Sequence, residues 1–168
     1  MDLFEAIQRR QSIRKWQDKP VERTKLTCIL EAINCAPSAG NFQSYEVYVV
    51  MSAERRKAIA AVTWDQGFIG EAPAMLVFCS HPSRCEYPGA ETYALEDTSI
   101  ACTLAMLATT ALGLGAVWIG AFDPKSLAEA MKLPNDQVPI AILPIGYPAE
   151  QPERTPRRGI EDFVHEIR

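Results

Sequence analysis

Helices alternating with strands along a 168-residue chain predict one domain built on a β-sheet, by pattern alone the parallel sheet of the α/β class. Three observations carry that prediction. Apolar residues recur at helical spacing after Glu22. Runs rich in valine, isoleucine and leucine appear at 46–51, 74–79 and 138–145, and no charged side chain occurs from Thr98 to Phe122. The length suits a single domain spanning 1–168, and 48% hydrophobic residues suffice for a core.

In chain order, Asp2 caps a short amphipathic helix to about Arg10, with Leu3, Ala6 and Ile7 on one face. A second helix follows Glu22-Arg23, with Leu26, Ile29, Leu30 and Ile33 as its core stripe, and Pro37 and Gly40 end it. Glu46 to Met51 reads as a strand, and Ser52 caps a third helix whose Ala58, Ile59 and Val62 face inward. Trp64 to Pro73 is a loop, 74–79 an apolar strand, and His81 to Ala90 an irregular exposed segment with two prolines and a glycine. The long helix from about Glu91 to Leu112 is apolar around most of its circumference after Ile100 and needs cover from its own domain or a second subunit. Ala116 to Ile119 is a short strand, and Asp123-Pro124 opens a helix that ends near Leu133-Pro134. The last strand runs from Val138 to Ile145, with Pro139 and Pro144 placing its ends at the margin of the sheet or outside it. Beyond Pro148, prolines and alternating charge predict an extended arm that frays or docks on a partner.

A net charge of -4 argues against a general nucleic-acid binder, so any basic site is local. Five cysteines without a Cys-x-x-Cys favour a reducing, cytoplasmic setting over a disulfide framework. The acidic start Met1-Asp2-Leu3-Phe4-Glu5 has no signal-peptide character, and Thr98, Ser99, Thr103, Thr109, Thr110 and Gly113-Leu114-Gly115 argue against a membrane span in the uncharged stretch.

The basic stretch Arg9-Arg10-Gln11-Ser12-Ile13-Arg14-Lys15-Trp16 admits two readings on its residues alone. Its cations answer a helix macrodipole, or guanidinium forks and a serine hydroxyl converge on a phosphate. A second basic pair, Arg157-Arg158, lies at the other end in a segment without a core pattern. The stretch resembles the opening signature of the nitroreductase family of FMN-dependent oxidoreductases. The similarity continues through Ala36-Pro37-Ser38-Ala39-Gly40-Asn41-Phe42-Gln43, Trp118-Ile119-Gly120-Ala121-Phe122-Asp123, Pro144-Ile145-Gly146-Tyr147-Pro148 and the closing Arg157-Arg158, in the family's order and spacing.

The resemblance implies an α+β fold in place of a parallel sheet: a mixed sheet wrapped by helices, with the C-terminal arm exchanged in a homodimer. It implies FMN as cofactor, with the phosphate held by Arg10, Ser12, Arg14 and Arg158 and with Arg9, Gln11 and Arg157 beside them. Pro37, Ser38, Ala39, Asn41 and Gln43 match the segment that the family's second subunit lays against the flavin, although Gln43-Ser44-Tyr45 lacks the proline usual there; on the residues alone the stretch also reads as a helix-stop loop. Trp118, Ile119 and Gly120 match the turn whose backbone N–H faces flavin N5, so no catalytic side chain is expected. Gln66 is the candidate for the pyrimidine edge, where an amide donates and accepts.

The implied activity passes hydride from NAD(P)H through flavin N5 to a nitroaromatic, quinone or similar electron-poor acceptor. A flavin-storage module and a divergent branch of the family, such as flavin breakdown or reductive dehalogenation, stand as alternatives. Three further motifs are set aside. Gly113-Leu114-Gly115 has the wrong context for a dinucleotide fingerprint, Cys79-Ser80-His81 with Cys85 lacks a fourth ligand, so no metal is expected, and His165 sits on the tail beside Glu166.

Overall fold

The structure, a computed structural model, describes residues 1–64 and 66–167. Asp65, within the expected loop 64–73, and Arg168, the end of the expected arm, lie outside the described residues. Four strands, β1 (Tyr45–Val50), β2 (Ala74–Ser80), β3 (Gly115–Ala116) and β4 (Val138–Gly146), form a sheet in the order β1-β2-β4-β3. The parallel sheet suggested by the alternation of elements is not what forms: all three ladders are antiparallel. The one parallel pairing among the described residues is an isolated bridge from Ser12 to Ala116. Hydrophobic periodicity fixes which face of a strand is buried and carries no information on its direction. The class is α+β, as the family pattern implies.

Among the described residues five helices cover the sheet: α1 (Leu3–Arg9), α2 (Arg23–Asn34), α3 (Ala53–Ala61), α4 (Ala90–Ala111) and α5 (Pro124–Met131). Their starts follow the sequence signals. Asp2 accepts from the N–H of Glu5 at 2.8 Å, Ser52 from that of Arg55 at 3.4 Å, and Asp123 from that of Ser126 at 2.8 Å, which satisfies orphan first-turn donors. Strand β2 is buried along its whole length because the pleat sends alternate side chains into two cores. Leu76 and Phe78 pack with Leu143 and Ile145 against Leu26, Ile29, Ala101 and Ala105 of α2 and α4. Met75, Val77 and Cys79 pack with Ile142 against Ile59, Ile69 and Leu127 on the other face.

Some helix faces differ from expectation. Leu30 is exposed at the margin of the α2 stripe, and on α3 the inward residues are Ile59 and Ala60, with Ala58 exposed and Val62 half-buried. Successive helix residues point about 100° apart, so a buried face can take in the neighbours Ile59 and Ala60 and leave Ala58 outside. The segment expected as irregular between His81 and Ala90 holds a 3-10 turn at Pro82–Arg84, and its Cys85 is buried.

Strand β4 corrects the reading of its prolines. It lies inside the sheet, between β2 and β3, and both prolines are paired in register, Pro139 with Cys79 beyond a register shift and Pro144 with Met75. Ile142 and Ile119 exchange both backbone hydrogen bonds at 2.9 Å, so the alternation of the ladder turns the donorless nitrogen of Pro144 toward the same neighbour. That is where the neighbour departs. The strand expected over 116–119 stops at Ala116, Val117 and Trp118 leave the ladder opposite Pro144, and pairing resumes only as a bridge at Ile119.

After Ala149 the chain is an extended arm, with one 3-10 turn at Ile160–Asp162. Ile160, Phe163, Val164 and Ile167 on it are exposed. No helix among the described residues is long and apolar enough to cross a membrane.

Candidate functional site

The basic loop is held against the sheet edge by two glycines that face each other across β3 and β4. A Cβ on Gly115 would come within 2.7 Å of the Ile13 side chain, and one on Gly146 within 2.7 Å of the Trp16 ring. Only hydrogen at these positions lets Ile13 and Trp16 seat so closely. Backbone bonds then fasten the loop: Ile13 N–H to Ala116 O at 3.0 Å, Gln17 N–H to Tyr147 O at 2.8 Å and Ala149 N–H to Lys15 O at 2.9 Å. The Trp16 indole donates to Gly115 O at 3.2 Å. Glu150, a residue the sequence reading passed over, accepts from the N–H groups of Arg14 and Lys15 at 2.5 and 3.1 Å.

The backbone of this loop is committed while much of its cationic display is free. Among the described residues Arg10, Arg14 and Lys15 have no carboxylate within ion-pair distance, and the Ser12 hydroxyl has no protein partner. Arg9 differs, pairing with Glu5 one turn back at 2.7 Å. A cleft of about 560 Å³ opens beside the loop, lined by Arg9, Gln11, Ile13, Gly115, Glu150 and Arg154 among others. Arg10, Ser12 and Arg14 are not among the residues that line this cleft; as residue types, unpaired guanidinium forks and a hydroxyl on one short run make a donor set suited to a phosphate dianion.

Arg157 and Arg158 are not joined to this loop by any hydrogen bond or ion pair among the described residues. Arg157 donates to the carbonyls of Thr155 and Pro156, and the Arg158 guanidinium lies 4.9 Å from the centroid of the Phe163 ring on the same arm.

The second segment, Pro37 to Gln43, forms a tight loop with left-handed backbone at Gly40, Asn41 and Gln43. Asn41 and Gln43 pair through their side-chain amides at 3.2 Å, and the Gln43 N–H donates to Ser38 Oγ at 3.1 Å. Asp97 of α4, 2% exposed, takes the N–H of Ala39 at 2.9 Å on one carboxylate oxygen and that of Ser44 at 3.3 Å on the other. Among the described residues no hydrogen bond or ion pair links this loop to residues 9–14 within the chain. Asp97 escaped the sequence reading because its partners are backbone donors distant in sequence. The signal present was its position as the last charge before the long uncharged stretch.

The third segment lies beyond β3. The N–H of Gly120 has no acceptor among the described residues, and a Cβ there would meet only Trp118 of its own turn. Gln66 donates to Ala121 O at 2.7 Å, which brings the amide to the same turn as Trp118, Ile119 and Gly120 and leaves its carbonyl oxygen available.

Elsewhere, His81 is wedged between Glu46 at 2.9 Å and Asp136 at 3.0 Å, a tie between strands and loop. Among the described residues no cluster of three or more metal-ligating side chains exists. The Cys79 thiol is pushed up to about 12 by burial first and by the charge of Glu46 second, so it is inert.

The family model described as "Nitroreductase family" matches residues 7–81 and 55–147. The chain is 33% identical to the FMN reductase (NAD(P)H) of Bacillus subtilis over 98% of its own length and 73% of that protein. It is 30% identical to the oxygen-insensitive NADPH nitroreductase of Salmonella typhimurium, covering 92% of this chain and 69% of that one. The solved structure of the NADPH:FMN oxidoreductase from Vibrio harveyi, complexed with NAD+, superposes with a TM-score of 0.91 at 26% identity, covering 98% of this chain and 76% of that chain.

Proposed function

Because this chain belongs to the nitroreductase family, we propose that it is an FMN-dependent NAD(P)H oxidoreductase whose electrons go to an electron-poor acceptor such as a nitroaromatic or a quinone. The observation that carries the reading is the donor set of Arg10, Ser12 and Arg14, unpaired in the protein and fixed by a loop bonded into the sheet edge. A buried or half-buried dianion needs several charge-assisted donors to offset its lost hydration, and this loop supplies them. When bound, the flavin supplies the redox chemistry between nicotinamide and acceptor. The protein binds and orients. The free N–H of Gly120 is a donor for a ring nitrogen, small residues there allow close approach, and the Gln66 carbonyl serves the pyrimidine edge.

The remaining contacts are assigned across a homodimer. Pro37, Ser38, Ala39, Asn41 and Gln43 would meet the flavin of the partner, and the arm would bring Arg157 and Arg158 to the partner's phosphate loop. Support comes from the apolar surface one chain leaves open: Leu3, Phe4 and Ile7 on α1, Leu95 and Ile100 on α4, and Ile160, Phe163 and Val164 on the arm are all exposed.

Apoprotein titrated with FMN should quench flavin fluorescence to a stoichiometric end point. Anaerobic NADH or NADPH should then bleach the visible flavin band, and a quinone or nitroaromatic should restore it. A protein that takes up no FMN refutes the reading. One that holds FMN and is bleached by neither nucleotide is a storage module instead.

A further inference from the structure

We propose that Asp97 is a positioning residue for the flavin: its buried carboxylate grips both ends of the loop 39–44 and holds Asn41 and Gln43 in the left-handed backbone that presents their paired amides. The proposal rests on the reading that this loop faces FMN.

The geometry requires such a clamp. Left-handed backbone costs little at Gly40 and is tolerated at Asn41, but at Gln43, with φ of 50°, the chain is held against its intrinsic preference. Residues in such conformations persist only where their surroundings over-determine them. Here the surroundings are the two oxygens of Asp97, one on the N–H of Ala39 and one on that of Ser44, with Ser38 Oγ bridging inside the loop to Gln43. Asp97 has no cationic partner among the described residues, so these backbone donors are what the structure offers its charge. A carboxylate buried in the middle of a helix is costly unless its oxygens are satisfied, and its removal leaves the buried donor of Ser44 and the half-buried donor of Ala39 without an acceptor. The side chain therefore both needs the loop and fixes it. On the outside the loop is backed by Phe42, edge-on to Tyr87 with centroids 5.1 Å apart. The phenolic oxygen of Tyr87 would lie 2.9 Å from a Cβ added at Gly40, so the ring approaches the loop closely on that side.

Three variants test this: Asp97→Ala, Asp97→Asn and, as a control for destabilising the same helix, Thr98→Val, whose buried hydroxyl bonds only Ala94 O of its own helix. The measurements are the FMN dissociation constant, the position and shape of the flavin absorption band, amide hydrogen exchange at 38–44 and the melting temperature. Asp97→Ala should weaken FMN binding about tenfold or more, the size of one hydrogen bond to a charged group, with a changed band shape and faster exchange at Ala39 and Ser44. Asp97→Asn, which keeps one acceptor oxygen, should fall between it and the parent. Thr98→Val should melt lower while holding FMN with the parent's affinity and spectrum. The proposal is overturned if Asp97→Ala binds FMN with the parent's affinity and band, or if Thr98→Val loses FMN in the same proportion to its melting temperature. A parent that binds no FMN overturns the functional reading itself, an outcome distinct from a parent that binds and a variant that binds equally well.

Discussion

Arg10 and Arg14 stand on a loop whose backbone is bonded to β3 and to the residues that follow β4, whereas Arg157 and Arg158 stand on the arm and make their hydrogen-bond and ring contacts within it. Both ends of the chain thus carry the same forks in opposite circumstances. The first pair is preorganised: Ile13 and Trp16 are seated in notches that only Gly115 and Gly146 leave open, so aiming the loop costs little at the moment an anion arrives. The second pair is presented by residues 153–167, nearly all exposed, with Ile160, Phe163 and Val164 uncovered. On the proposed function one chain would build half a phosphate site and docking of the arm would complete it, and the difference between the ends makes that separable by experiment.

The largest effect is expected from the cations themselves. Arg10→Ala should weaken FMN binding by about 1.5–3 kcal/mol, roughly ten- to a hundredfold, whatever the association state. Arg158→Ala should cost as much only while the arm is docked. Truncation after Gln151 should reproduce the Arg158→Ala loss, make the protein monomeric by light scattering and leave the Arg10→Ala penalty intact. Equal FMN retention by all three proteins after dialysis would remove both ends from the site.

The next effect bears on stability. Gly146→Ala drives a Cβ into the Pro73 and Trp16 rings, both rigid and packed, at 2.6 and 2.7 Å. Overpacking of this kind costs about 1–3 kcal/mol, read as a lower midpoint in denaturant with an unchanged slope. Gly159→Ala on the arm meets an even closer neighbour, but it is the carboxylate end of an exposed Glu161 that can swing away, so the expected change is within about 0.5 kcal/mol. A Gly146→Ala variant as stable as Gly159→Ala would show that the loop is not held where the structure holds it.

How far the sequence foretold this contrast depends on whether an element is specified locally. Asp2, Ser52 and Asp123 announced their helices because a cap is read within four residues, and the basic loop was recognisable because its chemistry lies in one run. The arm was legible as an absence of core pattern. Strand direction was not legible, since burial alternates identically in parallel and antiparallel sheets, and the family pattern supplied it. Pro139 and Pro144 misled for a related reason: a proline is excluded from a ladder only where its nitrogen faces a donor-requiring neighbour, and Pro144 faces the gap at Val117–Trp118. Asp97 and Glu150 were invisible because each serves backbone N–H groups more than fifty residues away, a pairing that no spacing encodes.

The smallest effect lies at the hinge between the two regions, where β4 gives way to the arm. The Tyr147 hydroxyl sits 2.8 Å from each carboxylate oxygen of Glu22, while Lys19 and Lys25 stand 3.7 and 4.7 Å from its ring centroid. That hydroxyl foremost, then a backbone donor of Glu22 itself, with the lysines adding less, holds the Glu22 carboxyl below its ordinary value of 4.5. A carboxyl depressed in the folded state binds protons more readily when unfolded, so its contribution is present above that value and fades as pH falls through it. Tyr147→Phe keeps the ring under the lysines and removes only the hydroxyl. Melting curves from about pH 7 down to about pH 3 should therefore show parent and variant converging below pH 4.5. The site is solvent-facing, so the gap at neutral pH should be small, and adding salt should leave most of it, because a hydrogen bond at 2.8 Å is screened far less than the lysine charges. A gap that stays constant across the whole range would mean the hinge is held by ring packing alone, with the Glu22 charge uninvolved in fixing where the arm departs.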